Sequence, residues 1–277
     1  MSERSTIAIV GLGLIGGSLA RDLHSLGYRI LGGDADPATL RDALRDGIIH
    51  DALPEDLAGV EAAAIVVLAV PVTAAPGLLR ALAPRLRAKL VTDVGSTKRS
   101  ILEAAVAVGP SIRFIGSHPL AGDHGNGWAA SRNGLFLDRT VFLCPAPGSG
   151  RQALEQALAL WRAVGARPVI DESAAHDARM AWLSHLPQAA ASALASAIAA
   201  SGLHAAGLGP GGRDATRLAA SSAELWAGIL LDNADRVEPA LAALERSIAE
   251  LRTALHHRDL PRLARLLADA KRWRDEG

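Results

Sequence analysis

Cysteine occurs once in this 277-residue chain, aromatic residues amount to 3%, and neither sign of charge is in excess. The lone Cys144 cannot close an internal disulfide or build a zinc cluster, and it reads as a small apolar strand residue. With 29 basic residues against 29 acidic ones and no long run of either, the charge balance argues against a nucleic-acid polyanion as the main partner. An anionic small molecule is not excluded, because a local cluster of Arg and His holds one at zero net charge. No uninterrupted apolar run reaches the roughly 20 residues of a membrane span, and Met1–Ser5 is too short and polar for a signal peptide. No membrane partner and a cytoplasmic location are therefore expected. No His, Asp and Glu residues fall at metal-ligand spacing, so no metal is expected. Scarce aromatics leave Ala, Leu, Val and Ile to fill the core, and 49% hydrophobic with 21% charged residues is a globular composition.

What is present is an alternation. From Thr6 to Phe114, strand-like runs (Thr6–Val10, Arg29–Gly33, Ala64–Val70, Leu90–Asp93, Arg113–Gly116) are separated by helical stretches. These include Leu14–Leu26 and Pro37–Arg45, the latter with Asp36 as N-cap and Pro37 in its first turn. Such alternation predicts a parallel sheet with helices on both faces. Thr140–Pro145 and Arg167–Asp171 flank a further helix and are expected at the far edge of the same sheet. After Asp171 the strand signal stops. Ala174–Ala200 is Ala-rich and helical, with Pro187 kinking or dividing it. Gly202–Gly212 interrupts; Asp214–Leu231, Val237–His256 and Leu260–Trp273 resume the helical spacing, the last with Asp259 as cap. The expected fold is α/β: a Rossmann-type, doubly wound, mostly parallel sheet over residues 1–171, then an all-helical domain over residues 172–277.

Gly11, Gly13 and Gly16 spell GxGxxG between the first strand and the first helix, the context that gives this motif its force. Gly11 allows the tight turn, Gly13 lets backbone approach a pyrophosphate, and Gly16 lets helix and strand pack closely. The pyrophosphate then sits on unused N–H groups at the helix start. Leu14, Ile15, Val70 and Pro71 complete the expected cofactor contacts. Asp34, roughly 20 residues beyond the glycines, suits the adenosine ribose hydroxyls and repels a 2′-phosphate, so NAD is expected over NADP.

Four further segments carry polar residues that a plain core does not need: DVGSTK (Asp93–Lys98), GSHPLAG (Gly116–Gly122), SHLPQ (Ser184–Gln188) and GRDATR (Gly212–Arg217). The first two follow strands, where open α/β sheets bind ligands. Together with GLGLIGG, in this order and spacing, the set resembles the prephenate and arogenate dehydrogenases of tyrosine biosynthesis, over almost the whole chain. That resemblance implies an NAD(P)-dependent oxidative decarboxylation that turns a cyclohexadienol into a phenol. It implies that His118 is the catalytic base, a neutral imidazole being suited to take the ring hydroxyl proton near pH 7. It also implies that Ser96 bonds that histidine and the hydroxyl, and that Arg217 grips a substrate carboxylate with its planar fork. Asp214 orients Arg217 or caps a helix, and His185 lines a cleft between domains. Where many prephenate-using members carry a second histidine, this chain has Gln188, which makes arogenate a serious candidate beside prephenate. The family varies at His124, which receives no role. The apolar faces of the C-terminal helices, with the resemblance, suggest a homodimer. Two alternatives remain. One is another hydroxyacid dehydrogenase of similar organisation, disfavoured because its catalytic lysine lies in the helical domain, which here has no lysine before Lys271. The other is a dinucleotide-binding redox sensor.

Overall fold

The computed structural model describes residues 4–122 and 125–276; His124 lies outside them. Eight strands form one sheet: β1 (Arg4–Val10), β2 (Tyr28–Gly33), β3 (Asp51–Ala52), β4 (Ile65–Leu68), β5 (Leu90–Asp93), β6 (Arg113–Pro119), β7 (Thr140–Pro145) and β8 (Arg167–Ile170), in the order β3-β2-β1-β4-β5-β6-β7-β8. All neighbours are parallel except β6 and β7. The helices of this part are α1 (Leu14–Ser25), α2 (Pro37–Arg45), α3 (Ala75–Leu82), α4 (Arg99–Val108), α5 (Gly150–Ala163) and α6 (Ser173–Met180). Two cores lie on opposite faces of the sheet, and β1 supplies both by alternation. Ile7 and Ile9 pack with Leu19, Leu23 and Trp161, whereas Ala8 and Val10 pack with Leu79, Leu82 and Ile101. A strand buried on both faces must be apolar throughout, which is why TIAIV and IVVL are continuous runs. Asp36 caps α2 by accepting from the Ala38 backbone N–H at 2.9 Å. Cys144 is buried, and burial pushes its thiol up to about 12, an inert group.

One strand differs from expectation. Strand β6 does not stop at Gly116. Its parallel register with β5 ends at Ile115, but antiparallel pairing with β7 carries it on to Pro119. His118 therefore stands in the strand, opposite Phe142, rather than in a loop beyond it. The stretch Ala174–Ala200 is divided near Pro187, as expected. Pro187, in the first turn of α7 (Leu186–Ala200), has no N–H to donate, and residues Ala181–His185 widen into a π-helical turn.

By compactness the chain forms two units: residues 1–180 with 220–233, and residues 181–219 with 234–277. The expected division at 171/172 follows the loss of strand signal along the chain; compactness places α6 and α9 (Ala223–Asp232) with the sheet. The second unit holds α7, α8 (Pro210–Thr216), α10 (Ala234–His256) and α11 (Leu260–Asp275). Its large exposed apolar residues include Trp182, Leu183, Ile248, Leu260, Leu267 and Trp273. The helical stretch expected from Asp214 to Leu231 is broken: α8 tightens into a 3-10 turn over Arg217–Ala220 before α9 starts, with the Ser222 side chain accepting from the Leu225 N–H. Among the described residues no helix is long and apolar enough to cross a membrane.

Candidate active site

The glycine loop leaves β1 and enters α1. Gly11 has φ +95°, a left-handed conformation that glycine adopts without strain, and a Cβ there would lie 2.2 Å from the Ala69 carbonyl oxygen. A Cβ on Gly16 would lie 1.9 Å from the Gly11 oxygen, so both positions are closed to any side chain. At Gly13, by contrast, a Cβ would meet nothing within 4 Å. Gly13 precedes α1 and supplies no side-chain cap, which leaves the first N–H groups of the helix for an anion. Leu14 and Ile15 are partly buried against the core, and Val70 and Pro71 follow β4 beside the Gly11 turn. Asp34 lies just past β2. Its carboxylate accepts from the Leu12 N–H at 2.7 Å and the Asp36 N–H at 2.9 Å, which ties the glycine loop to the end of β2. A cradle that a Cβ would fill, an uncapped helix start and a nearby carboxylate fit a dinucleotide.

His118, on β6, sits three strands from β1 at the same carboxyl edge of the parallel strands. Its Nδ1 lies 2.8 Å from Nε2 of His176 on α6, and Nδ1 of His176 lies 2.8 Å from Asp177 Oδ1. Phe142, opposite His118 on β7, packs edge-on against the His176 ring, with centroids 5.3 Å apart. His176 and Asp177 are almost wholly buried. Asp177 also accepts from the backbone N–H groups of Lys98 (2.8 Å) and Arg99 (2.9 Å) at the start of α4. Burial alone pushes the Asp177 carboxyl up, but the His176 and backbone hydrogen bonds outweigh it and hold the group below the usual carboxylate range. An ionised carboxylate only accepts. His176 Nδ1 therefore carries a proton; with His176 neutral, its Nε2 accepts from His118 Nδ1. In that tautomer the lone pair of a neutral His118 is on Nε2.

The DVGSTK loop is held from below by a buried ion pair. Asp93 and Lys98 are 1% and 0% exposed, and the lysine Nζ bonds the Asp93 carboxylate. Asp93 also accepts from Gly95 N–H at 2.9 Å and from Ser117 N–H at 3.0 Å. The second bond serves β6 where its ladder to β5 has ended. The Ser117 hydroxyl points to the other face, toward Thr92 and Trp161. Ser96 is partly buried, and its hydroxyl makes no hydrogen bond among the described residues; the bond to His118 implied by the resemblance is not formed.

In the second unit His185, at the end of the π turn, is fully buried. Gln188 is also buried. Its Nε2 donates to the Leu218 carbonyl at 2.8 Å, next to Arg217, while Oε1 is buried with no partner. Arg217 follows α8 and is exposed. Asp214 lies inside α8, exposed, and makes neither a helix cap nor an ion pair with Arg217. Both roles considered for it are corrected: α8 starts earlier, at Pro210, so Asp214 falls past the capping position. Sequence reasoning missed Asp93, Lys98, His176 and Asp177 as site residues. The signal available was polar residues in otherwise apolar, buried patterns. Asp93 and Lys98 are five residues apart and His176 and Asp177 are adjacent, but the bonds that make them a site, Ser117 to Asp93, His118 to His176 and Lys98 to Asp177, span 24, 58 and 79 residues.

Comparison with known proteins gives the family. The family profile described as "Prephenate dehydrogenase, nucleotide-binding domain" matches residues 19–170, and "Prephenate dehydrogenase, dimerization domain" matches residues 172–269. The chain is 35% identical to prephenate dehydrogenase of Bacillus subtilis, over 98% of this chain and 76% of that protein. The crystal structure of prephenate dehydrogenase from A. aeolicus in complex with hydroxyphenyl propionate and NAD+ superposes with a TM-score of 0.89 at 29% identity, covering 99% of this chain and 98% of that one. Synechocystis arogenate dehydrogenase gives a TM-score of 0.81 at 29% identity, over 98% of this chain and 99% of that one. Both halves of the chain therefore belong to the prephenate dehydrogenase family.

Proposed function

We infer that this chain catalyses the NAD-dependent oxidative decarboxylation of prephenate and/or arogenate, to 4-hydroxyphenylpyruvate or tyrosine. NAD, when bound, accepts the hydride that leaves the ring carbon bearing the hydroxyl. The ring carboxylate departs as carbon dioxide, and aromatisation drives the reaction. The observation that carries this reading is the chain Asp177–His176–His118. With His176 neutral, this chain leaves the accepting lone pair of His118 on Nε2, where His118 takes the hydroxyl proton. Asp177, through His176, orients the ring and stabilises the imidazolium that forms, as a buried carboxylate does behind a catalytic histidine. Ser96 bonds the same substrate hydroxyl. Arg217 binds a substrate carboxylate, with His185 and Asp214 in the same region of the chain. Gly11, Gly13, Leu14, Ile15, Gly16, Val70 and Pro71 receive the cofactor, and Asp34 reads the ribose. Residues 1–171 serve the nucleotide and residues 172–277 the substrate and the dimer. No metal takes part.

Gln188 bears on the choice of substrate. Its amide nitrogen is committed to the Leu218 carbonyl, so the group left over is an acceptor. An acceptor suits the ammonium of arogenate better than the keto acid of prephenate. In a steady-state assay with each substrate and each cofactor, NADH forms and NADP supports little turnover. The kcat/KM ratio favours arogenate, and Gln188→His moves it toward prephenate by about tenfold, roughly 1.4 kcal/mol. No turnover with either compound sinks the functional reading. Preference for NADP removes the role of Asp34, and an unmoved ratio removes that of Gln188.

The chain acts as a homodimer, assembled through the exposed apolar residues of its helical unit, in the cytoplasm. Light scattering at micromolar concentration gives twice the mass of one chain; the mass of a single chain contradicts this. No membrane or nucleic-acid partner is involved.

A further inference from the structure

The loop that carries Ser96 is held from a second side by α9, a helix that follows the Arg217 segment in sequence yet packs with the sheet unit. Asp232, the last residue of α9, accepts through one oxygen from Thr97 Oγ1 at 2.5 Å and Ser100 Oγ at 2.9 Å. The next residue, Asn233, is fully buried. It accepts from the Arg99 guanidinium at 3.1 Å and donates to the Asp177 carbonyl at 2.8 Å. Gly95 is tied to Asp93, and the backbone of Lys98 and Arg99 to Asp177. From Gly95 to Ser100 every residue is thus anchored through side chain or backbone except Ser96, whose hydroxyl is left uncommitted.

We propose that Asp232 is a positioning residue for the dehydrogenase reaction: by gripping Thr97 and Ser100 on either side of the α4 start, it fixes the backbone that aims Ser96. This rests on the functional reading above. Asp232 touches neither substrate nor cofactor and acts only through Ser96. Two hydroxyl donors need an acceptor, not a charge, so Asp232→Asn retains the grip through its amide oxygen while Asp232→Ala abolishes it.

The test is a double-mutant cycle on the full chain with NAD and the better of the two substrates. Asp232→Ala lowers kcat roughly tenfold, the scale on which small misplacement of a reacting group acts, while KM for NAD stays within about twofold. Asp232→Asn restores most of the loss. In a Ser96→Ala background, Asp232→Ala has almost no further effect, because both changes remove one interaction. Equal losses in both backgrounds, or a loss that Asp232→Asn does not restore, overturn the positioning role while leaving the enzyme assignment intact. If Asp232→Ala fails to fold, Thr97→Ala with Ser100→Ala removes the same two bonds from the other side and must show the same silence behind Ser96→Ala. Absence of turnover in the unaltered chain refutes the functional reading itself, and the proposal with it.

Discussion

Replacing His118 by Asn lowers kcat by about 10²- to 10⁴-fold, the usual worth of a positioned general base, and leaves NAD binding nearly unchanged. The side chain is small enough for the strand position opposite Phe142, so the loss reports chemistry rather than folding. Asn also keeps a donor that can face His176, but it has no lone pair of suitable basicity for the substrate hydroxyl. Single-turnover measurement with saturating NAD separates the steps: the hydride-transfer rate falls while the fluorescence titration of NAD is unmoved. A variant within fivefold of the parent rate would falsify the assignment of His118 as base. A dinucleotide-binding sensor would show no turnover to lose.

The second large effect belongs to His176, which contacts neither substrate nor cofactor in this scheme. His176→Leu leaves the His118 Nδ1 donor and the Asp177 carboxylate without each other's relay in a buried site. A buried polar group that loses its partner costs about 1–3 kcal/mol, and if that cost falls on the transition state, kcat drops roughly 10- to 100-fold. His176→Gln, whose amide oxygen can accept from His118, restores orientation without the link to Asp177 and gives an intermediate rate. Should Leu and Gln variants match the parent, the relay has no catalytic role. Asp177 adds a signature in stability. Its carboxyl is held below the usual range, so its stabilising contribution is fully present above the ordinary aspartate value, about 3.9. That contribution is lost as pH falls through the lower folded value. Thermal unfolding of Asp177→Asn therefore starts from a lower Tm at neutral pH and loses less on acidification than the parent does. A parent with no steeper acid loss than the variant contradicts the ionised state of Asp177.

Much of the sheet was legible because strands buried on both faces are largely apolar; the expected bounds of Leu90–Asp93 and Thr140–Pro145 match residue for residue. The end of β6 was not legible. Whether GSHP continues a strand depends on a partner, and β7 lies more than 20 residues further on. Likewise Asp214 looks like a capping residue until the helix is seen to begin earlier, at Pro210.

The order of the chain decides what is local: a glycine loop that only glycine can form, the cap at Asp36, the break enforced by Pro187, and the apolar alternation that builds two cores around one sheet. These follow from backbone sterics and the side-chain period of strands and helices, which act over a few residues. Only the tertiary structure decides that His118 meets His176, that Asp177 serves as acceptor for the start of α4, and that α9 returns to the sheet unit to hold the loop bearing Ser96. Hydrogen-bond direction and tautomer depend on which groups burial brings within 3 Å, and chain separations of 58 residues for His118–His176 and 135 for Thr97–Asp232 carry no trace of that meeting.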